Sequence, residues 1–113
     1  MEAAVVVHCT APERCEVPDK LAAAELARAL VEGRLCACVN VVPGVRSWFR
    51  WNGAVDVADE VLLVVKTTRA VVPALREAIT RLHPYDVPEI LELAVAGGSP
   101  AYLQWLQSAV AGG

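Results

Sequence analysis

The sequence predicts an α+β fold in which two βα units flank one long hairpin. Three observations carry this prediction: Val-rich apolar runs typical of buried strands, apolar residues at helical spacing, and an Asn-Gly pair between two long strand-like stretches. The predicted order is β-α-β-β-α-β-α, which is the split β-α-β pattern of a ferredoxin-like sandwich with an extra C-terminal helix. All 113 residues are assigned to a single domain.

The N-terminal part of the chain predicts one strand and one helix. Residues 4–9 form a short Val-rich run, which indicates a buried strand, and Thr10-Ala11-Pro12 ends it. From Pro18 onward, apolar side chains recur at helical spacing until Gly33, so residues 18–33 are predicted to be a helix.

The middle of the chain predicts a long hairpin. Residues 38–51 and 55–68 are strand-like, and Asn52-Gly53 between them suits a two-residue turn, because both of its central residues need positive φ. Pro43-Gly44 interrupts the first arm and predicts a bulge or bend. Arms of ~13 residues extend roughly 40 Å at the rise of a strand, which is longer than two helices can cover.

Three aromatic side chains lie near the predicted tip of this hairpin. By strand alternation Trp48 faces one way, whereas Phe49 and Trp51 face the other. A two-stranded ribbon with aromatics on both faces is not stable alone in water, so we expect the hairpins to pair between subunits. The alternative is that the ribbon folds back onto its own domain.

The C-terminal part predicts a helix over 71–82, a strand over 88–95 and a last helix that begins at Ser99-Pro100. Between the first two lies His83–Glu89, which sets an imidazole, a phenol and two carboxylates around two prolines. Proline stops both helix and sheet, so these side chains are displayed on a stiffened connection. The segment therefore predicts a functional site.

Composition excludes several classes of function. A net charge of −3 and a pI near 5.3 give no positive field for nucleic acid. No apolar run reaches the ~20 residues of a membrane helix, and the N-terminus lacks a signal-peptide pattern, so we expect a cytoplasmic protein that does not enter membranes. The hydrophobic fraction of 56% in so short a chain favours an oligomer. No G-x-S-x-G, P-loop or H-E-x-x-H motif is present, and we do not expect an enzyme.

Several motifs, taken in order, resemble one known family. They cover the chain from about Val5 to Val110, and the His-Pro-Tyr and Pro-Glu pairs in His83–Glu89 are the most distinctive. The sequence is similar to the CutA divalent-cation-tolerance family in these stretches: Leu35-Cys36-Ala37-Cys38-Val39-Asn40, Pro43-Gly44, Trp48 to Trp51, Glu60 to Thr68, His83 to Glu89, and Tyr102-Leu103-Gln104-Trp105.

The resemblance implies a homotrimer joined through the long hairpins and a link to tolerance of copper and other divalent metals, without an established enzymatic reaction. It also implies a metal site, since Cys9 and His83 match a Cys and a His of copper-binding members. In those members a second His precedes the one matched by His83, and here that position is Leu82. Copper or another divalent cation is the only cofactor expected, because Cu(I) prefers thiolates and Cu(II) accepts imidazole.

A second candidate site is a cleft between subunits. Its predicted lining combines the aromatic residues Trp51 and Tyr85 with three charged residues that lie on otherwise apolar strand faces: Glu60, Lys66 and Glu89. A small anionic or zwitterionic ligand would suit such a cleft. The alternative function is thus a ligand-sensing or scaffolding trimer, similar in build to nitrogen-regulatory signalling proteins, whose metal binding is incidental.

Overall fold

The computed structural model of the protein describes residues 2–112. Its elements follow the predicted order, and the four strands form one antiparallel sheet in the order β2-β3-β1-β4. The α+β prediction is therefore confirmed. The elements are β1 (Ala4–Ala11), α1 (Ala23–Glu32), β2 (Cys38–Trp51), β3 (Ala54–Thr68), a 3₁₀ turn (Arg69–Val71), α2 (Val72–Leu82), β4 (Leu91–Ala94) and α3 (Pro100–Ala109).

The sheet has one fully buried face, set by the two-residue period of its central strands. Along β1 every second side chain from Val5 to Ala11 is buried, and β3 repeats the pattern from Val61 to Thr67. Helices α1 and α2 cover this face with side chains that join it in one hydrophobic core, among them Leu26, Leu30, Leu75 and Ile79. The alternate residues of both strands stay half-buried on the other face.

The hairpin forms as the sequence predicts. Asn52 and Gly53 both adopt positive φ, 51° and 78°, and join the 14-residue β2 to the 15-residue β3. The register of the pair shifts between Val42 and Val45, so the predicted bulge lies at Pro43-Gly44, where Gly44 has a φ of 79°. Both local predictions are confirmed.

The outer part of the hairpin leaves large apolar side chains in solvent. Trp48, Trp51 and Val55 are 70%, 51% and 63% exposed. Within residues 2–112, no helix is both long and apolar enough to span a bilayer.

Several predicted boundaries differ from the structure. Strand β1 continues to Ala11 and does not end at Cys9. Helix α1 begins at Ala23 and not at residue 18, because Asp19 takes a positive φ of 65° and Leu21 donates its backbone N–H to the carbonyl of Leu82. Residues 18–22 thus dock on the end of α2. Strand β4 starts at Leu91 and not at Pro88, which has no N–H to give to a neighbouring strand.

Neighbouring positions on α1 test the assignment of the core. Leu30→Ala removes a fully buried side chain and should lower the free energy of unfolding by about 3 kcal/mol. Val31→Ala, on the exposed side of the same helix, should change it by less than ~0.5 kcal/mol. Urea unfolding at one fixed protein concentration measures both, and equal losses would contradict the burial of Leu30.

Candidate functional site

The candidate site begins where α2 ends and the proline-bracketed segment, residues 83–89, takes over. His83 leaves the helix in an extended conformation, and Pro84 after it disfavours any further helical turn. The His83 side chain is fully buried, and its Nε2 lies 2.8 Å from the carbonyl oxygen of Thr10 at the end of β1. Nδ1 accepts the backbone N–H of Tyr85 at 3.0 Å. The ring is therefore neutral with its proton on Nε2, and it fastens the segment to the sheet.

Tyr85 extends this connection to β3. Its hydroxyl donates to Oε2 of Glu60 at 2.9 Å, and its ring centroid lies 4.6 Å from that of His83. Burial, followed by the hydrogen bond and the charge of Glu60, raises the pKa of Tyr85 above its ordinary value. Glu60 itself is 8% exposed, and the sequence alone offered no partner for it. The structure supplies that partner from the proline-bracketed segment.

A cleft of about 670 Å³ opens beside this pair, between the hairpin and the proline-bracketed segment. It brings together four of the five residues predicted for a ligand cleft, namely Trp51, Glu60, Tyr85 and Glu89. The complete lining is Thr10, Ser47, Phe49, Trp51, Asp56, Ala58, Glu60, Pro84, Tyr85, Asp86, Val87, Pro88 and Glu89.

Lys66, the fifth predicted residue, does not line this cleft. It shares a face of β3 with Glu60, as predicted, but it lies six positions further along the strand, which corresponds to roughly 20 Å. Its ammonium group donates instead to Asn40 Oδ1 and to Cys38 Sγ. Lys66 therefore lies outside the cleft that this single chain forms, because strand periodicity fixes a face and not a position along it, and its place in a cleft between subunits stays a prediction.

The cleft is acidic and has aromatic walls. Asp56, Glu60, Asp86 and Glu89 line it, and the described lining residues include no Lys, Arg or His. In this chain the four carboxylates would repel an anion, and Lys66, the one cation expected to offset them, lies elsewhere. A cation suits this environment.

Two lining carboxylates were missed by the sequence analysis. Asp56 lies directly opposite Phe49 in the β2–β3 register, and the position of the Asn52-Gly53 turn could have revealed that pairing. Asp86 belongs to the proline-bracketed segment and could have been included with its neighbours. The backbone carbonyl of Thr10, which holds His83, has no signal in the sequence.

The predicted metal pair, Cys9 and His83, lies beneath the cleft. Cys9 is fully buried, and burial, followed by the charges of Glu89 and Glu60, raises the pKa of its thiol to about 12. A metal ligand must be a thiolate, so this environment opposes ligation. Burial also lowers the pKa of His83, although its hydrogen bond to Thr10 opposes that shift. Both ring nitrogens are engaged, and a metal would have to displace one of these bonds.

Within residues 2–112, no three His, Cys, Asp or Glu side chains converge closely enough to hold a metal ion. The cleft carboxylates therefore share one cavity without meeting at one point. Their donor chemistry suits divalent cations, whereas their arrangement in a single chain supplies an incomplete set of ligands.

Fold and cleft together define a class: a ferredoxin-like α+β protein with an exposed hairpin and a carboxylate-rich cleft. A model of the CutA1 divalent ion tolerance protein family matches residues 6–109. The divalent-cation tolerance protein CutA of Thermus thermophilus is 52% identical over 91 residues, which are 80% of this chain and 88% of that protein. The chain belongs to the CutA family, which is named for divalent-ion tolerance and not for a reaction.

Solved structures agree with this assignment. The Cut A1 protein of Thermus thermophilus has a TM-score of 0.85 at 48% identity, and the match covers 95% of this chain and 98% of that one. This match supports the ferredoxin-like description of the fold.

The cellular compartment differs among the relatives. The chloroplastic protein CutA of Arabidopsis thaliana is 40% identical over 104 residues, 92% of this chain, and the chain spans about half (54%) of that protein's length. A solved structure described as the periplasmic CutA of Archaeoglobus fulgidus has a TM-score of 0.82 at 28% identity, covering 94% of this chain and 97% of its own. A cytoplasmic location stays a prediction for this chain.

The buried imidazole predicts how stability depends on pH. Because the pKa of His83 lies below its unfolded value near 6.5, the unfolded chain binds this proton more readily than the folded chain does. His83 therefore lowers the free energy of unfolding as the pH falls below about 6.5. We expect His83→Gln to reduce the difference between the free energies of unfolding that urea titration gives at about pH 7.5 and at about pH 5.5.

The matched control is His8→Gln, which removes the one other histidine of the chain. It should retain the pH dependence of the wild type. If His83→Gln also retains the full pH dependence of stability, the assignment of a neutral, doubly hydrogen-bonded imidazole to His83 is wrong.

Proposed function

We propose that the protein is a homotrimeric binder of divalent cations that contributes to metal-ion tolerance, with the cation held by the carboxylates of the cleft. This proposal rests on the lining of that cleft. The described residues that line it include four carboxylates and no Lys, Arg or His. Family membership supplies the link to divalent-ion tolerance.

The donor set favours divalent cations and ranks them. Carboxylate oxygens bind divalent ions of the first transition row, and at a site of given ligands affinity rises along the series to Cu²⁺. Copper is therefore the ion we expect to bind most tightly, even without a thiolate. The cleft takes Cu²⁺ in preference to Cu⁺, because Cu⁺ selects soft sulfur ligands.

The proposed site differs from the pair of Cys9 and His83. That pair would require a thiol with a pKa of about 12 to ionise and a fully buried imidazole to leave Thr10 or Tyr85. The cleft carboxylates of Asp56, Asp86 and Glu89, by contrast, are exposed, so a cation can bind them while Glu60 keeps its hydrogen bond to Tyr85. The cost of reorganising the protein thus favours the cleft.

The trimer is proposed for two reasons. The hairpin exposes Trp48, Trp51 and Val55, and apolar side chains of this size in solvent favour contact with another subunit. The cleft borders that hairpin, and within residues 2–112 it holds an incomplete set of ligands. Association through the hairpins would cover the aromatic residues and bring further donors to the cleft.

A ligand-sensing or scaffolding trimer is the second candidate. The volume of about 670 Å³ and the partly exposed aromatic rings of Phe49, Trp51 and Tyr85 favour it, because a lone metal ion needs neither. The ligand would carry positive charge, as the cleft carboxylates require. In that case metal binding is incidental.

Calorimetric titration with Cu²⁺ tests the proposed site. Glu89→Gln removes one carboxylate from the cleft without removing its hydrogen-bonding capacity, and it should weaken binding by at least about tenfold. Glu77→Gln, on the exposed side of α2 and outside the cleft, should bind as the wild type does. Both variants change the net charge by the same amount.

The variant Cys9→Ala distinguishes between the two candidate metal sites, the cleft and the pair of Cys9 and His83. The cleft site predicts an unchanged affinity in this variant, whereas a site at Cys9 and His83 predicts its loss. Wild-type affinity in Glu89→Gln together with lost affinity in Cys9→Ala would overturn the proposal. If the wild type does not bind Cu²⁺, the ligand-sensing or scaffolding function becomes the better one.

Sedimentation velocity tests the role of the hairpin. Trp51→Asp places a charge at the tip and should shift the protein from trimer toward monomer or insoluble material, because the contact buries the aromatic residues. Trp105→Asp on α3 is the matched control, since that side chain is 46% exposed, against 51% for Trp51. A trimer unaffected by Trp51→Asp would show that the hairpin is not the interface.

A further inference from the structure

The carboxylates of the cleft are spread along its length and are not gathered at one point. Asp56, Ala58 and Glu60 alternate along one face of β3, and all three line the cleft. Asp56 and Glu60 are four positions apart, which corresponds to roughly 13 Å along a strand. Asp86 and Glu89 line the cleft from the proline-bracketed segment. The negative charge of the cleft thus forms an elongated array.

One of these carboxylates is nearly buried and only half satisfied. Glu60 is 8% exposed, its Oε2 accepts from Tyr85, and its Oε1 accepts no hydrogen bond within residues 2–112. No side-chain nitrogen or oxygen of the described residues is both sealed from solvent and unpaired, so Oε1 stays accessible. An anionic oxygen that has lost most of its water without gaining a donor is unfavourable. A ligand that brings N–H donors to Glu60 would relieve that cost.

Aromatic and aliphatic surface lies between the charges of the cleft. The rings of Phe49 and Tyr85 line it and remain partly exposed, and Val87 and Pro88 add aliphatic surface. Aromatic faces attract ammonium groups and also pack against methylene chains. The volume of about 670 Å³ is far larger than a single ion requires. The walls of the cleft therefore suit an elongated organic cation.

We propose that the ligand of the cleft is a linear polyamine, a chain in which short runs of methylene groups separate several ammonium groups. The proposal rests on the cleft of the proposed function and names an organic ligand for it. A metal ion needs several ligands at one point, and within residues 2–112 no three His, Cys, Asp or Glu side chains converge. A polyamine instead meets separated carboxylates one at a time, with N–H donors at Glu60 and methylene groups against the aromatic rings.

The cleft stays available when the hairpin contacts another subunit through its other face. By strand alternation Trp48 and Val55, the two most exposed large apolar residues of the hairpin, lie on the face opposite Phe49 and Asp56. The facing wall of the cleft belongs to the proline-bracketed segment and not to the hairpin. The contacts proposed for the polyamine do not include Trp51 at the tip.

Calorimetric titration with spermidine at neutral pH and low salt tests this class of ligand. The wild type should bind spermidine at least about tenfold more tightly than butylamine, which carries one ammonium group on a similar chain. Higher ionic strength should weaken the binding of spermidine. Equal affinities for the two amines would overturn the proposal, because the cleft would then recognise a single charge.

Two variants remove one charge from each wall of the cleft. Asp56→Asn and Glu89→Gln should each weaken spermidine binding by about threefold, and the double variant by about tenfold, because exposed ammonium–carboxylate pairs are individually weak and nearly additive. Glu77→Gln removes a charge outside the cleft and should bind spermidine as the wild type does. Wild-type affinity in both Asp56→Asn and Glu89→Gln would place spermidine elsewhere and overturn the proposal.

Titration of the same samples with Cu²⁺ separates the polyamine from the divalent cation of the proposed function. Binding of spermidine without binding of Cu²⁺ would support the polyamine and contradict the divalent site. Binding of Cu²⁺ without binding of spermidine would overturn the polyamine and leave the divalent site intact.

Discussion

The two hydrogen bonds of His83 are the constraint on which the candidate site depends. The ring lies between the carbonyl of Thr10 and the N–H of Tyr85, and so it fixes the proline-bracketed segment to the end of β1. Tyr85 can then reach Glu60, and Glu60, Tyr85 and Glu89 come to line one cleft. Without this buried ring, the segment would keep only its two prolines and the hydrogen bond from Tyr85 to Glu60 to position it. The imidazole therefore acts as a structural element of the site.

The sequence analysis singled out His83 as a possible metal ligand, whereas in the structure its ring connects two parts of the chain. A histidine between a helix and a proline is equally consistent with a metal ligand and with a buried connector, since the residue type is the same in both. The difference lies in its partners, and the decisive one is a backbone carbonyl of Thr10, 73 positions away. A backbone carbonyl is present at every position and leaves no mark in a sequence. Burial then removes the imidazole from solvent and from ions.

The sequence analysis correctly predicted the features that local backbone geometry determines. The turn at Asn52-Gly53, the bulge at Pro43-Gly44 and the two faces of β3 all follow from backbone geometry within a few residues, and the structure has each of them. It failed where tertiary contacts decide. The start of α1 moves to Ala23 because residues 18–22 dock on α2. Period two placed Lys66 on the face of Glu60, but it does not locate a residue along the strand.

Strand β3 explains how one chain separates two kinds of polar chemistry. Glu60 and Lys66 share one face of this strand, and a charge on a sheet face needs a partner within reach. At one end the phenol of Tyr85 donates to the carboxylate; at the other Asn40 and Cys38 accept from the ammonium group. At six positions apart, roughly 20 Å along a strand, the two charges are too distant to neutralise each other in water containing salt. Each charge therefore sets the chemistry of its own end, with cation-binding oxygens at the cleft and a cation beside a thiol at the base of the hairpin.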